Sequence, residues 1–145
     1  MSELKMEHIS PYGGSRLKLK TVDELGIQRM EIMTGIDWDN NRVITKIPGN
    51  FVTMGYSLDE VKPVLRPLHD ICEEINHNGL KFKPAFYWND DPVHNTIHMT
   101  LSTLAQYGRD PGFLLPYVVH RKLFEWQFDL FGLLMEGLAV SNHEI

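Results

Sequence analysis

The sequence predicts an α+β fold, with an N-terminal antiparallel β-meander followed by about three helices packed on one face. Two patterns carry this. Up to Ser57, short runs that alternate apolar and polar residues are punctuated by turn-forming clusters. Beyond Ser57 the apolar spacing lengthens to three and four residues, the period of one helix face. Size adds a third consideration. A chain of 145 residues buries about 68–70% of the surface it exposes when unfolded. Residues 1–145 are therefore expected to form a single globular domain that needs neither disulfide nor metal.

The elements follow in order. Gly13-Gly14 is a turn, and Arg16 to Val22 alternates as a strand does. A second strand is expected around Gln28 to Gly35. Asp39-Asn40-Asn41 suits a turn, because Asn and Asp tolerate positive φ and bond their own backbone. Val43 to Ile47 returns as the partner strand. Pro48-Gly49-Asn50 turns again, and Phe51 to Met54 makes a short strand.

Ser57-Leu58-Asp59-Glu60 matches a capping box. Pro63 and Pro67 rule out one smooth helix after it, because each lacks an N–H and clashes with the carbonyl four residues back. Lys62 and Arg66, which precede them, also avoid the helical region. The expectation is one turn, then a helix with Pro67 in its first turn. Leu68, Ile71, Cys72 and Ile75 share its buried face, and Asn78-Gly79 ends it. Lys81 to Trp88 reads as extended, with Pro84 at an edge or bend.

Asp91-Pro92 begins the next helix, with an acidic cap and a proline at the first helical position. Val93, Ile97, Leu101 and Leu104 form its stripe, and Gly108 and Pro111 close it. The last helix starts near Pro116. Arg121, Glu125, Asp129 and Glu136 fall in one sector, and Val119, Leu123, Trp126, Leu130 and Leu134 lie opposite. Tyr117, Phe124, Phe128, Phe131 and Met135 fill the flank between. Gly132 is where this helix is expected to be interrupted.

Composition narrows the functional classes. Apolar residues at 43% and charged residues at 23% suit a globular chain. The net charge of −5 argues against a nucleic-acid partner, since phosphate binding needs a basic face. One local exception is Arg16, Lys18 and Lys20, which alternate with Leu17 and Leu19. On a strand the three cations share a face, which reads most simply as a solvated one. The single cysteine, Cys72, leans towards a reducing compartment. The start has no apolar signal core, and no run approaches the roughly 20 apolar residues of a membrane helix. The most apolar stretch, Leu123 to Val140, is broken by Glu125, Asp129 and Glu136. An intracellular protein with no membrane partner is expected.

Each catalytic or metal motif is incomplete. His94 and His98 stand one turn apart on a predicted helix, a spacing that lets both reach one metal ion. The zinc-protease pattern needs Glu after the first His, and Asn95 stands there. A third ligand would have to come from His69, His77, His120 or an acid such as Asp90. Asp37-x-Asp39-x-Asn41 opens like a calcium loop, but Arg42 and Pro48 occupy the glycine and glutamate positions. His69, Asp70 and Cys72 superficially suggest a thiol site. A cysteine on a core stripe is instead inert, because desolvation disfavours its thiolate. Gly13-Gly14 lacks the rest of a phosphate loop. No cofactor is expected.

Two segments look familiar. One is Lys62-Pro63-Val64-Leu65-Arg66-Pro67-Leu68-His69-Asp70-Ile71. The other is Leu115-Pro116-Tyr117 with Leu123-Phe124-Glu125-Trp126-Gln127-Phe128-Asp129-Leu130-Phe131-Gly132-Leu133 and Gly137-Leu138-Ala139. They resemble a group of small, uncharacterised proteins of phages and prophages of gut bacteria. The resemblance implies a phage-associated accessory protein in the bacterial host cytoplasm or in a virion, and it carries over no functional residues.

The function expected from all this is non-enzymatic binding of a protein partner, or of a second copy as a homo-oligomer. The expected surface is the flank made by Tyr117, Phe124, Phe128, Phe131 and Met135, because large exposed apolar patches mark interfaces. The rival account buries this helix centrally in its own domain. Two functional alternatives remain open: a metal-dependent enzyme using His94 and His98, and a small-ligand binder with Tyr87 and Trp88 lining a pocket.

Overall fold

The computed structural model describes residues 3–23, 25–49, 52–88, 94–107 and 116–144, and for residues 94–96 and 144 it describes the backbone only. Among these residues the strands are β1 (Lys18–Val22), β2 (Gln28–Asp37), β3 (Arg42–Lys46), β4 (Thr53–Ser57), β5 (Val61–Leu65), β6 (Ile75–His77), β7 (Leu80–Phe82) and β8 (Val140–Ser141). The helices are α1 (Met6–Ile9), α2 (His94–Tyr107) and α3 (Tyr117–Glu125). The fold class is α+β, with most strands ahead of the two longer helices. The chain divides into two compact units. Met1–Leu65 with Leu133–Ile145 make the first, and Arg66–Gly132 the second.

The first unit is built on a six-stranded sheet in the order β4-β3-β2-β1-β5-β8. Neighbouring strands are antiparallel except β5 and β8, which run parallel. The meander expected of the first third of the chain is therefore present. Its turns use the chemistry of their residues. The Asp23 carboxylate accepts the N–H groups of Leu25 and Ile27, both at 2.9 Å. The Asp37 carboxylate accepts from the Asn40 backbone and side chain, and Asn41 takes the left-handed φ of 55°. Between Met33 and Gly35 the register shifts, and Thr34 instead donates its hydroxyl to the Ile44 carbonyl. β1 begins at Lys18 and not at Arg16, which sits at a φ of 58° after the Gly13-Gly14 turn.

The capping box forms as expected. The Ser57 N–H donates to the Glu60 carboxylate at 3.0 Å, and a single 3₁₀ turn, Leu58–Glu60, follows. The sequence suggested no element for what comes next. Val61–Leu65 is strand β5, in which Pro63 stands opposite Leu19 and outside the two residues that β8 pairs. A proline is tolerated at such a site because no ladder bond is asked of its nitrogen.

In the second unit only a five-residue 3₁₀ helix, Leu68–Cys72, replaces the predicted α-helix, and Ile75 begins β6. Asn78 and Gly79, at φ of 54° and 86°, form the tight turn of the β6–β7 hairpin. An Asn-Gly pair stops a helix, but two successive positive φ angles are also what a two-residue hairpin requires. A Cβ at Gly79 meets nothing within 4 Å. Gly79→Ala is therefore expected to cost only backbone strain, about 1–2 kcal/mol, measured as a lower urea midpoint with an unchanged slope.

Leu68, Ile71, Ile75, Ile97, Leu101, Leu104, Val119, Leu123, Trp126 and Phe128 are all buried in one cluster. The predicted α2 stripe of Ile97, Leu101 and Leu104 is part of it. Val93, the Asp91-Pro92 start and the Gly108 and Pro111 stop lie outside the described residues. α3 starts after Pro116 as expected but ends at Glu125. Gln127 takes a φ of 66° and turns the chain away. The Arg66 N–H then donates to the Gln127 carbonyl at 2.8 Å, and the Asp129 N–H to the Arg66 carbonyl at 3.0 Å. The Arg66 guanidinium clamps the same region, giving Nε to the Trp126 carbonyl and Nη2 to the Asn76 carbonyl.

Candidate protein-interaction face

Because α3 stops at Glu125, the five residues expected to form one apolar flank do not share a helix. Tyr117 is 77% exposed in the first turn of α3, and Phe124 is half-buried with its ring 5.8 Å from that of Phe131. Phe128 has no exposed surface and pairs by a β-bridge with Arg66. Phe131 is 37% exposed, while Met135, at 72%, belongs to the first unit. The expected continuous flank is thus corrected: its central residue is core. The helical period continued past Glu125 in the sequence, but backbone pairing with Arg66 diverts the chain.

The other expected sites are equally dispersed. His94 begins α2, and its side chain lies outside the description. His98 shares a hydrogen bond with Ser102 Oγ at 3.2 Å and packs its ring against Phe86. His69 is exposed beside Asp70, His77 is on β6 and His120 is on α3. Burial and the neighbouring Arg66 push the His77 imidazole below its usual range. Among the described residues no group of three or more His, Cys, Asp or Glu side chains is arranged to hold a metal ion. Cys72 is only partly buried and lies 3.9 Å from Ser102 Oγ. Tyr87 and Trp88 do come together, but with Phe82 and Trp126. Ring centroids stand 4.8–5.8 Å apart, and Lys122 lies over two of the rings. These rings pack against one another in tilted and edge-to-face pairs.

The sheet presents two chemically distinct faces. Leu19, Thr21, Glu31, Met33, Val43, Thr45 and Tyr56 point inward and are buried. At the centre of this face the Glu31 carboxylate, fully buried, accepts hydroxyl hydrogens from Thr21 at 2.6 Å, Thr45 at 2.9 Å and Tyr56 at 2.6 Å. Burial alone would raise its pKa. The three donors, with Arg29 nearby, outweigh this and hold the carboxyl below its ordinary range. Burial and the adjacent carboxylate push the Tyr56 phenol up. Four neighbouring strands are thereby tied through one anion. The motif escaped sequence reading because its members lie 10 to 25 residues apart.

The outer face follows from the same register. One row across the strands is Lys62, Lys20 and Met30. The next is Lys18, Ile32, Lys46 and Thr53. Gly35, Ile44 and Gly55 form a third, and Asp37, Arg42 and Ser57 a fourth. Lys18, Lys62 and Arg42 are exposed, while Lys20, Lys46, Met30, Ile32 and Ile44 are half-buried. Asp37, beside Arg42, is the sole carboxylate in these rows. The Asn40 side chain and then its backbone hold that carboxyl below its usual range.

Lys20 and Lys62 stand directly opposite one another. They line a hollow of about 220 Å³ with Val22, Gln28 and Val140. Asp59 and Glu60 also line it, and the Ser57 hydroxyl, with its single hydrogen, lies within hydrogen-bonding distance of both carboxylates. The basic strand noticed in the sequence is therefore part of a larger cationic surface. Lys46 and Lys62 join it through strand pairing, and Arg16 falls outside the strand. No protein-family model, curated protein or solved structure matches this chain.

Proposed function

We propose that the protein is a non-enzymatic interaction protein that binds another protein through the outer face of its sheet. The observation that carries this reading is the Lys20–Lys62 pair. Like charges directly opposite on neighbouring strands destabilise a sheet. Neither ammonium has an ion-pair partner among the described residues. Asp59 and Glu60 line the same hollow without coming within ion-pair distance of either lysine, so the pair remains suited to a ligand that neutralises it. The half-buried Met30, Ile32 and Ile44 beside it supply the apolar contact area that protein interfaces use. The resemblance of residues 62–71, 115–117, 123–133 and 137–139 to phage and prophage proteins supports an accessory role in the host cytoplasm or a virion.

Photo-crosslinking tests the reading. A benzophenone amino acid placed at Met30 is expected to yield one discrete protein adduct in cells that make the chain. Lys20→Glu with Lys62→Glu should suppress that adduct. If the same adduct forms as readily from Leu25, which is 84% exposed in the β1–β2 loop, or forms at neither site, the reading fails.

A further inference from the structure

We infer that the occupant of the outer sheet face is an acidic segment of another protein, one that presents carboxylates and aliphatic side chains together on its docking side. This rests on the interaction reading above and specifies the chemistry of the partner.

Adjacent strands lie about 4.8 Å apart, and alternate residues of one strand about 6.8 Å apart. The backbone positions of Lys62, Lys20 and Lys18 therefore make a compact triangle on one face, and Lys46 extends it two strands further. Carboxylates entering this triangle relieve an existing repulsion as well as gaining attraction. The rows also interleave Met30 and Ile32 with the lysines, so the complementary surface must carry apolar groups between its charges. The stems of Lys20 and Lys46, half-buried themselves, add to that apolar area.

The same observations weigh against nucleic acid. None of the residues in the four outward rows is aromatic, so bases would find no stacking platform on them. The opposed lysines also make a distinctive prediction about the free protein. Lys62→Glu puts a carboxylate opposite Lys20, so this variant should melt at a higher temperature than the native chain while binding more weakly. A purely structural role for Lys62 would move stability alone.

The test selects a random dodecapeptide library on the immobilised full-length chain. Peptides enriched in Asp and Glu among aliphatic residues are expected, and Lys62→Glu should weaken their binding by about tenfold or more. Their affinity should fall as salt is raised. Peptides without acidic enrichment that compete with one another and are weakened by Ile32→Asp would overturn the acidic partner while leaving the interaction face standing. Peptides indifferent to both variants, or none recovered, would overturn both. An oligothymidylate that binds more tightly than the peptides would replace the inferred partner with nucleic acid. A native dimer that Lys62→Glu dissociates in sedimentation would replace it with a second copy. Should Lys62→Glu melt below the native chain, Lys62→Gln must still reduce peptide affinity, or the inference falls.

Discussion

Replacing Glu31 with alanine is expected to destabilise the sheet unit by about 3 kcal/mol or more, because buried donors left without an acceptor cost about 1–3 kcal/mol each. Thr21, Thr45 and Tyr56 all lose their partner at once, and burial denies them water. Thr21 keeps only a 3.5 Å approach to the Arg29 carbonyl. Tyr56→Phe removes one donor and should cost less, about 1 kcal/mol. Non-additivity between the two changes in a double-mutant cycle would measure the coupling. Urea titrations give all of these values. An alanine variant as stable as the native chain would show that the cluster contributes nothing.

The same cluster sets an acid limit. The folded-state pKa of Glu31 is depressed below its unfolded value. Between those two values the unfolded chain binds the extra proton, so stability increases with pH there. The contribution is complete above the ordinary carboxylate range and is lost as pH falls through the lower folded value. Stability measured against pH should thus show a steeper acid loss in the native protein than in Glu31→Gln, which has no proton to take up.

Phe128→Asp is expected to unfold the second unit. Truncating a buried phenylalanine costs about 3–5 kcal/mol, and a buried unpaired carboxylate adds to that. Phe128 has no exposed surface, and it anchors the bridge to Arg66. Loss of the near-ultraviolet signal of Trp126, which packs on Phe82 and Tyr87, reports the event. Tyr117→Asp, at a residue 77% exposed, should shift stability by no more than about 0.5 kcal/mol. A folded Phe128→Asp protein that had lost a partner would restore the C-terminal surface as an interface.

These two sites mark what could be read from the chain. The β-meander, its Asp and Asn turns, the Ser57 capping box and the Ile97, Leu101 and Leu104 stripe were legible, because each depends on residues within a few positions of one another. Strand alternation likewise placed Lys18 and Lys20 on one outward side. Sequence alone could not bring Lys62 beside Lys20, or Lys46 into the row of Lys18, because strand register is a long-range choice. Nor could it assemble Glu31 with three hydroxyls from three other strands. At residues 68–82 the local signals suited a helix stop and a hairpin equally well. Burial of Ile75 in the core, and the reach of Phe82 to Trp126, go with the hairpin.

Past Glu125 the helical period was real in the sequence, yet the backbone found better partners. The Gln127 carbonyl and the Asp129 N–H pair with Arg66, some sixty residues earlier. Local spacing therefore determined the fold class and the starts of β2, β3 and α3. Tertiary pairing decided where elements end, which aromatic residues are core, and which charges meet, because those outcomes depend on backbone and side-chain partners that lie far apart in the chain.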